Sequence, residues 1–400
     1  PAPVSLLPYL EQLQGRKASL YFHIPFCSHK CGYCNLFSLQ TNRTEYIATY
    51  LDTLHRQAQQ LSPLTAGLTF DSFAIGGGTP LLLTVPQLEQ LMATAALFGV
   101  HPSHAFTSVE TSPEYADRPR LNVLKKAGVS RVSIGIQSFQ DEELKAIKRR
   151  PRQNTIYQAL DDIRQMDFPY FNIDLIYGIK GQTVESFLYS LEEALRFQPN
   201  ELFIYPLYVR QGTGITEREP DDVCFRMYRA ACKLLPAKGF LQTSMRRFIH
   251  HPSTDAEVSC GDEVMLSCGS GGRSYLGDLH YATRYTVCQQ CIAREIDEYM
   301  ATTDFTVARN GFILSAKEQQ QRFIIKNLMY YMGIDKAEYT RRFGEPLDRT
   351  PLFRQLAEQY WIEETPERIR LTPEGLGYSD YIGQLFITPE IRQLMETYSY

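Results

Sequence analysis

Six strand-like runs, each followed by a helix-like stretch, constrain what this 400-residue chain can fold into. The runs are Ser19–Ile24, Ser72–Ile75, Phe106–Glu110, Arg131–Ile136, Asn172–Ile176 and Leu202–Leu207. Each is rich in β-branched or aromatic residues and ends at a polar, Gly or Cys position, as a strand does. The stretches at roughly 44–61, 85–97, 118–127, 140–166, 184–196 and 221–238 read as helices. In Pro86–Phe98, for example, Leu88, Leu91, Met92 and Leu97 fall near helical spacing. Regular alternation of this kind argues for parallel βαβ units. Six such units predict an α/β fold, an incomplete TIM-like (β/α)6 barrel. The chemistry of such barrels lies at the C-terminal ends of their strands.

The strand ends carry the informative residues. After the first comes His23-Ile24-Pro25-Phe26-Cys27-Ser28-His29-Lys30-Cys31-Gly32-Tyr33-Cys34, a C-x3-C-x2-C run. Three thiolates on one short loop suit three corners of a four-iron, four-sulfur cube, and the fourth iron is left open for a small molecule. The alternatives are a zinc loop or three unrelated core cysteines. Structural zinc wants four ligands, and no fourth is obvious nearby. After the second strand comes Ile75-Gly76-Gly77-Gly78-Thr79-Pro80, where backbone can approach a ligand closely. By itself such a run is as often a structural turn. Glu110 ends the third strand; Gln137 and Asp174 are polar breaks at the ends of apolar strands and need partners, for which core hydrogen bonds are the plainer reading.

The net charge of −4 gives no general basic field toward nucleic acid or anionic lipid. The N-terminal residues lack a signal-peptide pattern and no run of 18 apolar residues occurs, so a cytoplasmic protein is expected. Nine cysteines are too few for a disulfide scaffold, and their number is odd. Cys288-Gln289-Gln290-Cys291 pairs with Cys260 and Cys268 as a candidate auxiliary metal site, against the plainer reading of unrelated thiols. Arg246, Arg247, His250 and His251 form a charged cluster, read as solvated rather than as a site for an acidic substrate.

Beyond residue 240 the alternation stops. The expected organisation is a barrel over 1–240, a connecting, substrate-side segment over 241–306 that holds the turn-rich Gly269–Arg273, and a C-terminal domain over 307–400. In the last, a helix from Ser315 with Phe323, Ile324, Leu328 and Met329 on one side, a second helix over Ala337–Phe343 and strands at Trp361–Ile362 and Arg368–Leu371 read as an α+β, winged-helix-like order. It lacks a strong basic stripe, so nucleic acid is not the expected partner.

Taken in order, Tyr21–Cys27, the cysteine run, Gly76–Pro80, Gly135–Phe139 and Asp174–Thr183 resemble the oxygen-independent coproporphyrinogen III oxidase family of radical S-adenosylmethionine (SAM) proteins. The family includes the oxidase, a heme-chaperone branch, and radical methylases and cyclopropanases called class C. The resemblance covers roughly residues 18–385 and is strongest over 20–210. It implies a radical SAM barrel with a [4Fe-4S] cluster on Cys27, Cys31 and Cys34, and SAM on the open iron. By position it places Tyr21, Gly77, Gly78, Thr79, Glu110, Gln137, Arg149 and Asp174 in contact with SAM. Ile176 and Pro206 match contacts to a second SAM, although Pro206 replaces a small residue and Arg273 stands where an apolar one is expected. A small organic substrate and a one-electron reductant such as flavodoxin or ferredoxin are implied with them. Leu36 stands where the oxidase has a further cysteine, and only about 20 residues precede the cluster motif. Those departures point to the chaperone or class C branches. The preferred expectation is methyl or methylene transfer from a second SAM; the alternatives are a heme chaperone or porphyrinogen oxidation.

Overall fold

The computed structural model describes residues 3–100, 104–149, 152–250, 264–347 and 350–397. Cys260 and His251 lie outside the described residues. The chain divides into two compact units, Pro1–Cys224 with Ser253–Ile313, and Phe225–Pro252 with Leu314–Tyr400.

In the first unit the six expected strands are Lys17–Ile24, Thr69–Gly77, Phe106–Thr111, Arg131–Gln137, Tyr170–Tyr177 and Glu201–Pro206. They are parallel neighbours in sequence order, with Ile24 opposite Gly77, Ile75 opposite Val109, Thr111 opposite Ile134, Gly135 opposite Asp174 and Ile176 opposite Tyr205. The free edge of the first strand takes Val264–Cys268 in parallel, followed by antiparallel Arg273–Leu276, Leu279–Ala282 and Gly311–Ile313. The barrel is therefore incomplete, and its sheet is longer than the alternating pattern suggests.

Alternation along each strand sorts the side chains into two layers. Leu20, Phe22, Ile24, Phe73, Ile75, Val109, Val132, Ile134, Ile173, Leu175, Leu202 and Ile204 are buried, and burying each contributes roughly 1.5–3 kcal/mol. The intervening positions carry Tyr21, His23, Gly76, Ser108, Glu110, Ser133, Asn172, Asp174 and Glu201. Deep among these, Ser72 donates to Ser19 at 2.7 Å, and Arg131 pairs with Glu201 at 3.1 Å and donates to Ser108 at 3.0 Å. Polar residues thus face one another across the strands, and the apolar ones face the helices.

The helices start where capping chemistry allows. Thr84 and Gln87 form a capping box before Val85–Ala96, and Thr183 with Ser186 does the same for Val184–Leu195. One expected helix is divided: the stretch 140–166 is Asp141–Ala146 and then Gln153–Met166. Lys148 takes a left-handed φ of 53°, and Arg149 N–H returns to Leu144 C=O at 2.8 Å, a helix-ending arrangement.

In the second unit, Ser315 and Glu318 box the start of Ala316–Leu328. Lys336–Phe343, Pro351–Glu358 and a three-stranded antiparallel sheet of Ile334–Asp335, Arg368–Leu371 and Ile362–Glu364 pack around Phe323, Leu328, Ile334, Leu356, Ile369 and Leu371. The winged-helix-like order read from the sequence is present.

Candidate active site

The cysteine loop is closed at its base. Phe26 and Cys27 pair with Leu39 and Gln40 as two short parallel strands, so the residues between them form a pinched loop. His23, one position before the end of the first strand, holds it from within. Its Nε2 donates to Phe37 C=O at 2.8 Å, because a carbonyl can only accept, and its Nδ1 accepts from the Tyr21 hydroxyl at 3.0 Å. Burial pushes the imidazole down to about 4, so it is neutral at pH 7. Lys30 donates to Ser38 Oγ at 2.7 Å and to the Leu36 and Ser38 carbonyls, while Gly32 N–H donates to Ile147 C=O at 2.9 Å.

Burial raises the Cys27 thiol to about 11 and raises that of Cys31 as well. Neither becomes a thiolate at neutral pH without a metal partner. Donors wait for the charged form: Thr79 Oγ1 stands 3.6 Å from Cys27 Sγ, and Arg149 Nη1 3.7 Å from Cys31 Sγ. Among the described residues, no three His, Cys, Asp or Glu side chains converge on a single ion. A cube gives each thiolate its own iron. The thiols, their donors and the closed loop fit a cube.

The cysteines open onto a cavity of about 600 Å³ at the C-terminal strand ends. Gly77, Gly78, Thr79, Glu110, Gln137, Arg149, Asp174, Ile176 and Pro206 line it with Cys27, Cys31 and Cys34. Tyr21 is not among its lining residues; its hydroxyl is used on His23. The glycine run does not offer free N–H groups either. Gly77 N–H points to Glu110 Oε2 at 3.3 Å, Gly78 N–H donates to Ile24 C=O and Thr79 N–H to Phe26 C=O, both at 2.8 Å. A Cβ at Gly78 would stand 2.5 Å from Phe26 O, so that glycine is needed for strand packing.

Two carboxyls, Glu110 and Asp174, line the cavity. Glu110 is open to the cavity, yet protein surrounds it on the other sides, and desolvation raises its carboxyl. Desolvation raises Asp174 to about 7; Asn172 Nδ2, bonded at 2.8 Å, opposes this and the Glu110 charge adds to it. Gln137 sits at a register shift with a φ of 75°, which turns the end of the fourth strand. Arg149 enters from the break between the helices. It bonds Gly135 C=O and reaches Tyr33 Oη at 3.3 Å. Burial lowers its affinity for a proton, but Tyr33 and Cys31 more than reverse this, so it stays cationic. Among the described residues, no hydrogen-bond partner is present for its buried Nε.

Several site residues were not singled out from the sequence. Tyr33 could have been found, since it lies inside the cysteine run. Lys30, Ser112, Glu114, Ser133, Tyr205 and Tyr208 line the cavity through loop and strand placement alone. Leu36 is 49% exposed and also lines it, whereas Arg273 is exposed and does not. Among the candidate auxiliary ligands, Cys268 is fully buried on its strand and Cys288 is exposed.

Residues 21–194 match the Radical SAM superfamily and 314–377 the HemN C-terminal domain. The oxygen-independent coproporphyrinogen III oxidase of Salmonella typhimurium is 32% identical over 394 residues, covering 90% of this chain and 83% of that protein. The heme chaperone HemW of Bacillus subtilis is 27% identical over 386 residues, covering 92% of this chain and all of that protein. The solved coproporphyrinogen III oxidase HemN of Escherichia coli superposes with a TM-score of 0.81 over 96% of this chain and 93% of its own, at 23% identity. Fold and domain define an enzyme of the radical SAM class. The chain belongs to the radical SAM family of oxygen-independent coproporphyrinogen III oxidases and heme chaperones.

The branch expected from Leu36 and the short leading segment is corrected by these likenesses. The higher identity is to an oxidase, so the chain does not stand nearer the chaperone or class C branches. One cysteine in a loop weighs less than agreement along most of the chain, and the preferred methyl-transfer reading falls with the branch.

Proposed function

We propose that the chain oxidises a carboxylate-bearing porphyrinogen, or a closely similar tetrapyrrole, by radical SAM chemistry. One observation carries this reading: the three cysteines line one cavity together with Glu110, Asp174 and Tyr205. The oxidase likeness over 83% of the Salmonella protein supports the substrate class. Cys27, Cys31 and Cys34 would hold the cluster, and the same wall would hold SAM. When bound, the pair supplies one-electron cleavage of SAM, yielding methionine and a 5′-deoxyadenosyl radical that abstracts hydrogen from carbon.

The chain's own groups do the placing. Thr79 and Arg149 donate toward the Cys27 and Cys31 sulfurs and stabilise their ionised forms. The cationic Arg149 in the cavity wall suits an anionic ligand group. Glu110 and Asp174 accept hydrogen bonds from hydroxyl or ammonium groups of SAM, and Asp174 keeps a proton up to about pH 7. Lys30 and Tyr208 supply charge and an aromatic surface at the wall beside the cysteine loop. A flavodoxin- or ferredoxin-type donor would supply the electron.

The experiment is anaerobic turnover with dithionite, SAM and coproporphyrinogen III. Formation of 5′-deoxyadenosine together with carbon dioxide and a vinyl-bearing product is expected. SAM cleavage that leaves the porphyrinogen unchanged would overturn the substrate class. No cleavage together with tight heme binding would overturn the enzymatic reading itself.

A further inference from the structure

A cysteine pair outside the cluster stands directly against the cluster loop. Cys288 is exposed and caps the 13-residue helix Gln289–Ala301; Cys291 lies in the first turn of that helix. The cap and the third helical position face each other, the same geometry that lets a capping box close. Cys288 N–H donates to Thr286 Oγ1 at 3.2 Å, which fixes the approach of the chain. The Cys291 amide and thiol, and the Gln290 amide, donate toward Cys288 and lower its thiol; Cys291, giving its proton toward that sulfur, is raised. An exposed thiol that ionises readily, with a protonated partner three residues on, is the arrangement of a nucleophilic and a resolving cysteine.

The first of the two residues between them, Gln289, makes the link. Gln289 Nε2 donates to Ser38 C=O at 2.9 Å and its Oε1 accepts from Gln40 N–H at 2.8 Å. Ser38 Oγ lies 3.8 Å from Cys34 Sγ and also accepts from Lys30. Tyr285, three residues before the cap, donates to Asn35 C=O at 2.6 Å. A change of backbone at the cap is therefore felt within one hydrogen bond of Cys34. Cys268 is fully buried on its strand, whereas Cys288 is exposed.

We propose that Cys288 and Cys291 form a redox-active dithiol that closes to a disulfide, and that Gln289 transmits its state to the cluster loop at Ser38. A low-molecular-weight disulfide is the oxidant. The Cys288 thiolate attacks one of its sulfurs, breaking that S–S bond and releasing one thiol. The Cys291 thiolate then attacks Cys288 Sγ, forming the intramolecular S–S bond and releasing the second thiol. Two electrons pass to the oxidant, and the two protons lost by the cysteines end on the released thiols. The dithiol stands independently of the proposed substrate; its link to Cys34 rests on the cluster being there.

The test uses the full chain, reconstituted anaerobically and equilibrated with glutathione buffers of rising oxidised fraction. Acid quenching, alkylation and mass spectrometry count the free thiols. The peptide holding Cys288 and Cys291 is expected to lose both alkylatable thiols in one step, while Cys224 and Cys232 keep theirs. C291S is expected to trap glutathione on Cys288, and C288S to remove the step. Retention of both thiols at full oxidation would overturn the proposal. So would a metal that copurifies with the wild type and is lost in C288S while the cluster iron is kept. The link is read by resonance Raman of the iron–thiolate stretches in the resting cluster: a shift between dithiol and disulfide forms, absent in Q289A, is expected. An unshifted spectrum would overturn the link.

Discussion

Gly78→Ala, set against Gly76→Ala, separates packing from ligand contact at the glycine run. At Gly78 an added Cβ would stand 2.5 Å from Phe26 O, 2.8 Å from Phe26 C and 2.9 Å from Phe26 N. All three are backbone atoms next to Cys27, so the strand end must move. Overpacking of this kind costs about 1–3 kcal/mol. The Gly78–Ile24 and Thr79–Phe26 hydrogen bonds, both 2.8 Å, would be strained as well, at about 1 kcal/mol each. The expected loss is about 3–5 kcal/mol in urea unfolding of the apo-protein, together with poor cluster retention. At Gly76 the same Cβ meets Glu110 Oε2 at 2.8 Å, the end of a side chain that can turn away. G76A should cost under about 1 kcal/mol, keep its iron, and bind SAM roughly tenfold more weakly, the equivalent of about 1.4 kcal/mol. Iron analysis and anaerobic equilibrium dialysis read the two effects separately. G78A with unchanged stability and full iron would refute the steric argument.

Three further outcomes are expected. Replacing Cys27, Cys31 or Cys34 with Ala should each abolish the thiolate-to-iron absorption of the reconstituted protein; full iron in the triple variant would move the cluster elsewhere. Asp174 titrates at about 7 in the fold against 3.8 normally, so between those values the folded chain keeps a proton that the unfolded chain has lost. Apo-protein stability from this group therefore falls as pH rises through that window, by up to roughly 4 kcal/mol at ~1.4 kcal/mol per pH unit. D174N should gain on the wild type between pH 4 and pH 8, as urea midpoints would show. His23 runs oppositely: at about 4 against 6.5, it costs stability as pH falls through that range, by up to roughly 3 kcal/mol. H23Q should flatten that acid limb, and an unchanged slope would mean that the buried imidazole is not what titrates.

Local periodicity and short spacing were enough to read the six strands, the helices between them, the cysteine loop and the polar Glu110, Gln137 and Asp174 on apolar strands. The C-terminal order was readable for the same reason. Tertiary structure decided what depends on distant partners. The first strand's free edge is filled by Val264–Cys268, a pairing across more than two hundred residues that no local pattern encodes. Arg149 reaches the cavity because the chain leaves helical geometry at Lys148, where local propensity favoured one long helix. The Tyr21 hydroxyl and the Gly77–Thr79 amides hydrogen-bond His23, Glu110, Ile24 and Phe26, partners set by the strand ends meeting. The placement of Gln289 between two cysteines and on Ser38 is likewise a matter of two loops meeting. Residue types and spacing fix which groups are available; only packing fixes which of them are already satisfied.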